Sequence, residues 1–183
     1  MLKVAALALA AVTLCSNAAA QTRVLPVSGA KPDPASLYEQ AYKLDVADGA
    51  QRDAAKALAL YRQAADLGST DAMLRIGYLY ANGRSVPLDH AQAADWYRRA
   101  GDSGHSKAMF MIGVCYWAGR GVPEDQVEAY KWIDLAATYA EHREQETAAN
   151  TRTALARVMT PAQIEDGKRR SREWQIAFER RRD

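Results

Sequence analysis

The side chains that could carry catalysis or bind a metal are few in this sequence and lie far apart. The chain contains two cysteines, Cys15 and Cys115, and three histidines, His90, His105 and His142. A zinc site needs clustered Cys or His ligands, or the His-Glu-x-x-His spacing of a zinc protease helix, and neither pattern occurs. The sequence therefore predicts no metal site and places each histidine at the surface.

Other groups with chemical potential have simpler explanations. Gly119-Arg120-Gly121 resembles a phosphate-binding loop, but no strand precedes it. The nearby acidic residues stand at helix starts or on solvent faces, where capping and solvation account for them. Cys115 is expected in the core, since most buried thiols are inert. We therefore predict no catalytic residue, no cofactor and no enzyme activity.

The composition predicts a helical protein with a packed core. Hydrophobic residues make up 49% of the 183 residues and charged residues 25%, which excludes a disordered chain or a many-span membrane protein. The net charge is only +2, so nucleic acid is not an expected partner. Alanine is abundant, whereas Gly and the strand-forming residues are sparse, and this favours helices.

Residues 1–20 have the organisation of a secretory signal peptide. Lys3 precedes an apolar run from Val4 to Leu14, and small residues follow as far as Ala20. The run is too short for a membrane span, which takes about 20 residues. We expect cleavage near Ala20, a mature chain without a transmembrane segment, and a periplasmic or secreted location.

Cleavage would also remove Cys15. Lipid attachment at this cysteine is the less favoured alternative, because Leu14 stands where a lipoprotein signal has a small residue. The mature chain would retain Cys115 alone, so it would have no intramolecular disulfide even in an oxidising compartment. Residues 21–33 are expected to be a flexible linker.

The middle of the chain repeats with an offset of 36 residues. The offset also reaches back, weakly, to Leu37, Ala41 and Tyr42. We expect about three repeats over residues 34–140, the first of them degenerate, as terminal repeats often are. The matched pairs include Gly68 with Gly104, Ile76-Gly77 with Ile112-Gly113, Tyr80 with Tyr116, Gly83 with Gly119, Asp89 with Asp125, and Trp96 with Trp132.

Each repeat is predicted to be a pair of antiparallel helices. Apolar residues recur at helical spacing over 73–80 and again over 93–100. Between these segments, Gly83 suits a left-handed helix end and Pro87 cannot continue a helix. Gly68 and Gly104 are expected to end the second helix of their pairs. Capping boxes are predicted at Asp89 with Gln92 and at Asp125 with Glu128.

Small and large residues at fixed positions predict how the helices meet. Gly77 and Gly113 lie on the buried stripe, where a larger side chain would hold two backbones apart. Trp96 and Trp132 supply the bulk that fills the core. Their spacing follows the buried face, which favours packing over stacking on a ligand.

The third unit resembles the Sel1-like repeat, a relative of the tetratricopeptide repeat with longer loops. The resemblance covers about residues 34–140 and departs from the pattern at Ser85, Ile133 and Ala140. It implies an all-α fold, an alpha-alpha superhelix of antiparallel helical hairpins, which acts as an adaptor in protein complexes and carries no catalytic residues. The residues that carry it are Ala108, Ile112-Gly113, Tyr116, Gly119-Arg120-Gly121-Val122, Asp125, Ala129, Trp132 and Ala136-Ala137.

Residues 141–183 fall outside the repeat and are predicted to be C-terminal capping helices. One helix is expected over 141–158, and Thr160-Pro161-Ala162-Gln163 is a strong signal for the start of another. The apolar face of this last helix is expected to cover the final repeat. Its many Lys and Arg residues are expected to face solvent, and weak contact with an anionic surface is the less favoured alternative. The apolar face consists of Ile164, Gly167, Ser171, Trp174 and Phe178.

The binding surface is predicted on the first helix of each pair, opposite its buried stripe. Successive repeats would align these positions along one face, as a partner peptide or helix requires. The alternative, equally weighted, is that neighbouring repeats or the tail cover them. The predicted positions are Glu39, Tyr42, Arg75, Tyr78, Met111 and Val114.

These patterns predict a non-enzymatic protein-binding scaffold of the cell envelope. The alternative function is an envelope-acting enzyme or regulator, such as a weak beta-lactam or peptidoglycan hydrolase. Cysteine-rich relatives of the repeat family have been linked to beta-lactam chemistry, but the paired cysteines of those relatives are absent here.

Overall fold

The computed structural model describes residues 32–47 and 53–182, and within them the chain is α-helical with no strand. The predicted signal peptide and most of the predicted linker lie outside these residues. The all-α prediction is confirmed. The helices are α1 (Pro34–Val46), α2 (Ala54–Asp66), α3 (Thr70–Asn82), α4 (His90–Asp102), α5 (Ser106–Ala118), α6 (Gln126–Tyr139), α7 (His142–Ala156) and α8 (Pro161–Arg180).

The first six helices form three hairpins that stack in chain order. Helices α1 and α2, α3 and α4, and α5 and α6 pack as pairs, and each pair also contacts the next one. Helix α7 packs on α6, and α8 packs on α6 as well. A single hairpin is too small to bury its own apolar face, so each one depends on its neighbours. The result is the predicted helical repeat solenoid.

Left-handed residues end the first helix of each complete repeat. Gly83 and Gly119 have φ of 64° and 62°, and their N–H groups donate to Leu79 and Cys115 carbonyls. Two residues later, Ser85 has φ of 73° and its equivalent, Gly121, has φ of 74°. The loop therefore keeps one shape in both repeats, although Ser85 has a Cβ where glycine is the usual choice.

Aspartates begin the second helix of every hairpin. Asp89 accepts a hydrogen bond from the Gln92 backbone N–H at 3.0 Å, and Asp125 accepts from that of Glu128 at 3.0 Å. The predicted capping boxes at these two sites are wrong in their second half, because no return bond from Gln92 or Glu128 is present in the described residues. The Glu128 carboxylate is instead engaged by Arg170, 2.7 Å away.

The capping box predicted at the start of α8 is confirmed. The Gln163 N–H donates to the Thr160 hydroxyl at 3.3 Å, and the Thr160 N–H donates to the Gln163 side chain at 2.8 Å. Another cap was missed: His105 begins α5 and is half-buried rather than a surface residue, with Nδ1 accepting from the Ala108 N–H at 3.4 Å. His90 and His142 are exposed, as predicted.

The two glycines of the buried stripe have equivalent surroundings. A Cβ at Gly77 would lie 2.4 Å from the Tyr97 ring, and one at Gly113 would lie 2.6 Å from Ile133. Tyr97 and Ile133 are themselves one repeat apart, so the same helix contact recurs. The predicted packing role of these glycines is therefore confirmed, and Trp96 and Trp132 are buried as expected.

Helix α8 covers the last hairpin through the predicted apolar face. Trp174 stacks on Phe178 with ring centroids 4.6 Å apart, and both meet the Tyr139 ring edge-on. Trp174 also lies edge-on to Trp132 at 6.2 Å. At the other end of this face, Gly167 permits close approach to Tyr130, whose ring a Cβ would contact at 2.8 Å. None of the helices in the described part of the chain combines the length and apolarity that a membrane crossing requires.

Candidate functional site

The first helices of the three hairpins, together with α7, form one surface that contains three neighbouring cavities. We call this surface the first-helix face. It is positioned by the hairpin stacking, because α1, α3 and α5 occupy equivalent places in successive repeats. The three cavities share residues along their borders, so they form one connected surface rather than separate sites.

A polar cavity of about 340 Å³ lies between α1, α3, α5 and α7. Its charged groups already face partners of opposite sign. His105 Nε2 lies 3.2 Å from an Asp71 carboxylate oxygen, and Lys107 Nζ lies 3.8 Å from that of Glu144. The cavity therefore combines both signs of charge with the tyrosine rings of Tyr38 and Tyr78, which suits a polar segment rather than a strongly charged ligand.

An apolar groove of about 360 Å³ adjoins the polar cavity between α5, α6 and α7. Lys107 and Glu144 border both cavities, and Arg143 stands at the groove rim. An apolar floor with a charged rim is the usual design of a surface that holds an amphipathic segment. The apolar lining residues are Phe110, Met111, Ala136, Ala140 and Ala148.

A third cavity, of about 200 Å³, lies between α3, α4 and α5 and is called the α3–α5 cavity below. It shares Tyr78 with the polar cavity and Met111 with the apolar groove. Val114 also lines it. Three of the predicted binding residues therefore meet at one place, half-buried and accessible from a cavity.

The other predicted binding residues have different surroundings. Tyr42 is 40% exposed and stacks on Tyr38 with centroids 6.2 Å apart. Glu39 is exposed and lines a further cavity at the start of α1, which shares Tyr38 and Asp71 with the polar cavity. The structure thus brings Arg75, Tyr78, Met111 and Val114 to the three cavities. Tyr42 contacts Arg75, whose guanidinium carbon lies 5.4 Å from the centre of the tyrosine ring. Glu39 lies at the edge of this surface, in the adjoining cavity. Binding by any of them stays a prediction.

Arg75 has a structural partner that sequence patterns did not reveal. Its Nε and Nη2 donate to Asp45 Oδ2 at 2.8 Å and 2.5 Å, and the Tyr61 hydroxyl lies 3.4 Å from the same oxygen. Asp45 is 2% exposed, so its charge depends on the Arg75 guanidinium. The three residues come from α1, α2 and α3, and they hold the weakly matching first hairpin to the second. The sequence offered no signal for this, because Asp45 has no acidic counterpart in the later repeats.

Helix α7 contributes to the face although it was predicted only as a cap. Glu144, Thr147 and Ala148 line the apolar groove, and Phe110 of α5 joins them. The period ends before α7, so no repeat comparison could place these residues. Phe110 precedes the predicted Met111, but helical spacing alone did not select it.

The described residues contain no arrangement of a nucleophile with a base. Burial raises the pKa of the Cys115 thiol, although Arg120 and Arg98 act in the opposite direction, so the thiol is protonated near neutral pH. Burial likewise raises the pKa of Tyr97 above its ordinary range. Over residues 32–47 and 53–182, no three His, Cys, Asp or Glu side chains are placed to hold a metal ion.

Much of the basic run in α8 is neutralised within the fold. Lys168 pairs with Glu165 at 2.8 Å, and Arg169 pairs with Glu173 at 2.6 Å and with Asp166. Arg170 bridges Asp166 and Glu128 at 2.9 Å and 2.7 Å. Because these residues are paired, the C-terminal end of α8 is its most basic part. Contact of that end with an anionic surface stays a prediction.

Comparison with protein families finds a match to the Sel1 repeat. Three copies align, with residues 47–69, 70–105 and 106–138, which together make up just over half of the chain. The first matched segment begins after α1, in agreement with the weak repeat signal there. No curated protein matches the chain.

Three solved bacterial structures are similar to this chain. A Sel1 repeat protein from Oxalobacter formigenes is 30% identical, with a TM-score of 0.57 over 64% of this chain and 89% of that one. The antigen c5321 of uropathogenic Escherichia coli, described as protective and as having an SLR fold, is 24% identical, with a TM-score of 0.61 over 77% of this chain and 37% of that one. Cysteine rich protein B of Helicobacter pylori is 21% identical, with a TM-score of 0.53 over 62% of this chain and 88% of that one.

Proposed function

Because the chain belongs to the Sel1 repeat family, whose members are helical protein-interaction scaffolds, we propose that it is a non-enzymatic adaptor of the cell envelope. It binds another protein or peptide through the first-helix face. The observation that carries this proposal is the continuity of the three cavities, joined by Tyr78, Met111, Lys107 and Glu144.

The chemistry of the face fits a protein segment better than a small substrate. Its apolar floor can bury one side of an amphipathic helix or strand, and its rim can form hydrogen bonds and ion pairs with the other side. The absence of a nucleophile–base pair in the described residues supports a binding role. Envelope location rests on the signal-peptide pattern of residues 1–20.

Partner capture tests the surface. We would cross-link the protein in its native envelope and compare the wild type with Tyr78→Asp/Met111→Asp and with Lys107→Glu/Arg143→Glu. The second pair changes rim groups and is expected to leave the fold intact, because Arg143 and Lys107 are exposed. Both variants should lose at least about 80% of the captured partner, as expected when central contacts are removed.

Matched controls lie away from the face. Leu88 and Val158 are exposed apolar residues, at 60% and 64%, and neither borders the three cavities. Leu88→Asp and Val158→Asp should capture the partner as the wild type does. Equal capture by the rim variant and the wild type, with circular dichroism showing both folded, would reject the first-helix face as the binding surface.

Two further measurements address activity and location. Purified protein incubated with beta-lactams and with peptidoglycan should show no turnover above background, and turnover abolished by one defined substitution would overturn the non-enzymatic assignment. N-terminal sequencing of the protein from a periplasmic fraction should begin near Gln21. Recovery from the cytoplasm with Met1 retained would contradict the proposed location.

A further inference from the structure

The buried carboxylate of the first hairpin has no counterpart in the second one. Asp45 sits next to last in α1, accepts from Arg75, and lies 3.4 Å from the Tyr61 hydroxyl. One repeat later along the chain, Ala81 replaces Asp45 and Met111 replaces Arg75, while the tyrosine is retained as Tyr97. The second hairpin thus keeps the hydroxyl donor and loses both the carboxylate and its guanidinium partner.

These three equivalent residues meet at the α3–α5 cavity. Ala81, Tyr97 and Met111 all line its volume of about 200 Å³. Tyr97 is 1% exposed, and among the described residues its hydroxyl has no hydrogen-bond partner. A buried hydroxyl without a partner is costly and uncommon in native proteins. The cavity therefore occupies the position that corresponds to the Asp45 carboxylate one repeat earlier. The Tyr97 hydroxyl beside it is the equivalent of the Tyr61 hydroxyl.

The charge of the lining favours an anion. Arg120 lines the cavity, and no Asp or Glu does. Arg120 comes from the loop after α5, so the guanidinium approaches from a different element than Arg75 does in the first hairpin. The remaining wall includes the apolar side chains of Val114 and Met111. A ligand that fits has a short apolar stem and one carboxylate.

We propose that the α3–α5 cavity is a binding site for a carboxylate supplied from outside the chain. An oxygen of that carboxylate accepts from the Tyr97 hydroxyl, the Arg120 guanidinium pairs with its charge, and the apolar stem lies against Met111 and Val114. The same chemistry is offered by a free short-chain fatty acid and by the side chain of a glutamate on a bound protein segment. This site does not depend on the proposed function, although it borders the first-helix face.

Titration with hexanoate tests the site directly. We would follow ¹³C-labelled tyrosine rings of the purified protein by NMR, with hexanamide as the neutral control of the same shape. Hexanoate is expected to bind saturably and to shift the Tyr97 ring signal, and hexanamide is not. Absence of binding, or equal binding of the two compounds, overturns the proposal unless the glutamyl peptide described next binds at Tyr97.

A second titration separates the two sources of carboxylate. The probes are the peptide acetyl-Ala-Leu-Glu-Leu-Ala-amide and its counterpart with Gln in place of Glu. Selective binding of the Glu peptide supports the site and assigns it to a protein side chain. Binding of hexanoate alone supports the site and assigns it to a free acid. If none of the carboxylate probes binds, the proposal is wrong, whatever the partner-capture experiment shows.

Three single variants test the named contacts. Tyr97→Phe removes only the unpartnered hydroxyl, and Arg120→Ala removes the cation; each should weaken binding of the carboxylate probe by about tenfold or more. Arg84→Ala is the matched control, because Arg84 holds the equivalent loop position one repeat earlier and does not line the cavity. Wild-type affinity in both Tyr97→Phe and Arg120→Ala would overturn the assignment of the site.

A rebuilt triad gives an independent test. The double variant Ala81→Asp/Met111→Arg places a carboxylate in α3 and a guanidinium in α5, one repeat after Asp45 in α1 and Arg75 in α3. The introduced carboxylate should then occupy the position of the carboxylate supplied from outside. We expect the variant to lose binding of the probe and to keep its thermal unfolding transition. A folded double variant that binds the probe with wild-type affinity would contradict the proposed position of the ligand.

Discussion

Two kinds of residue contact between helices stabilise this repeat protein, and they differ in their physical basis. Gly77 and Gly113 allow helices to approach by having no side chain, whereas Asp45 and Arg75 join helices through a buried charge pair. The glycines recur in the second and third hairpins, whereas the first hairpin has the buried Ala41 at the equivalent position. The ion pair occurs once, at the degenerate first hairpin, where it contributes a specific contact between α1 and α3.

Removing Arg75 should destabilise the protein much more than removing the whole pair. Arg75→Met leaves the Asp45 carboxylate buried without its cation, and we expect a loss of about 2 to 4 kcal/mol in the free energy of unfolding. This is slightly below the usual range for a buried pair, because the Arg75 side chain is 26% exposed. Asp45→Ala/Arg75→Met reproduces the residues found one repeat later, Ala81 and Met111, and should recover most of the loss. Urea unfolding measures both, and an equal loss in the two variants would contradict the argument.

Adding one methyl group at Gly113 should also destabilise the fold. An open helical glycine gains about 1 kcal/mol on replacement by alanine. At Gly113, however, the new Cβ would lie 2.6 Å from Ile133 and 3.3 Å from the Ala129 carbonyl oxygen. We expect Gly113→Ala to lower the free energy of unfolding by about 1 to 3 kcal/mol, since overpacking outweighs the helical gain.

Gly113→Ala/Ile133→Ala relieves the side-chain contact. Its loss in the free energy of unfolding should therefore be smaller than the sum of the losses of the two single changes. Increased stability of Gly113→Ala alone would show that the helices separate freely.

At the scale of elements, α8 completes the array by replacing the hairpin that would come next. Its aromatic residues Trp174 and Phe178 cover Tyr139 and Trp132, and Gly167 allows it to approach Tyr130. An array of hairpins has an apolar face at each end, so one terminal element must present polar residues to solvent. In α8 that outer side carries the internal ion pairs of Lys168 and Arg169.

Trp174→Ala should therefore loosen the end of the array. The substitution removes ring contacts with Trp132, Tyr139 and Phe178 and the hydrogen bond that Nε1 donates to Asp102 at 3.1 Å. We expect a loss of about 2 to 4 kcal/mol, below that of a fully buried tryptophan because Trp174 is partly exposed. Hydrogen exchange should accelerate in α8 and α6 more than in α1 and α2. Ile176→Ala, at an exposed position on the same helix, is the control, and equal effects of the two changes would argue against a cap.

At the scale of the whole molecule, the first two hairpins each bury a tyrosine at the equivalent position, Tyr61 and Tyr97. Burial is the main cause that raises the pKa of Tyr61, and the neighbouring Asp45 carboxylate is the second cause. Burial also raises the pKa of Tyr97. The stability of the array is therefore linked to the protonation of these phenols. Because the hairpins depend on one another, this linkage affects the entire solenoid.

Stability should fall in alkaline solution. The unfolded chain releases its tyrosine protons near the ordinary pKa of about 10, whereas the folded chain retains them at Tyr61 and Tyr97. Unfolding above this pH releases protons, so stability is complete below about pH 10 and declines as the pH rises, by up to about 1.4 kcal/mol per unit for each tyrosine. Thermal unfolding between about pH 8 and pH 11 measures the decline. Tyr97→Phe should make it shallower, and a slope unchanged by that substitution would contradict the linkage.

Most of the fold could be predicted because it depends on local patterns. Three- and four-residue spacing of apolar side chains defines α3 to α6, Gly83 and Gly119 end helices, and Thr160-Pro161 begins α8. All of these act within a few residues of the chain. The 36-residue offset then places equivalent helices in equivalent contacts, which is why the sequence predicted the packing role of Gly77 and Gly113.

The helices, the hairpins and their order follow from the amino-acid sequence alone. Which polar groups share a buried space, and which surfaces remain open, depends on the packed fold, because these features join residues far apart in the chain. Asp45 meets Arg75 across 30 positions, Glu128 engages Arg170 rather than its own helix start, and α7 joins the first-helix face without any repeat signal. Periodicity specifies the face that a helix buries, whereas the partner of a single charge is specified only when all the helices have packed.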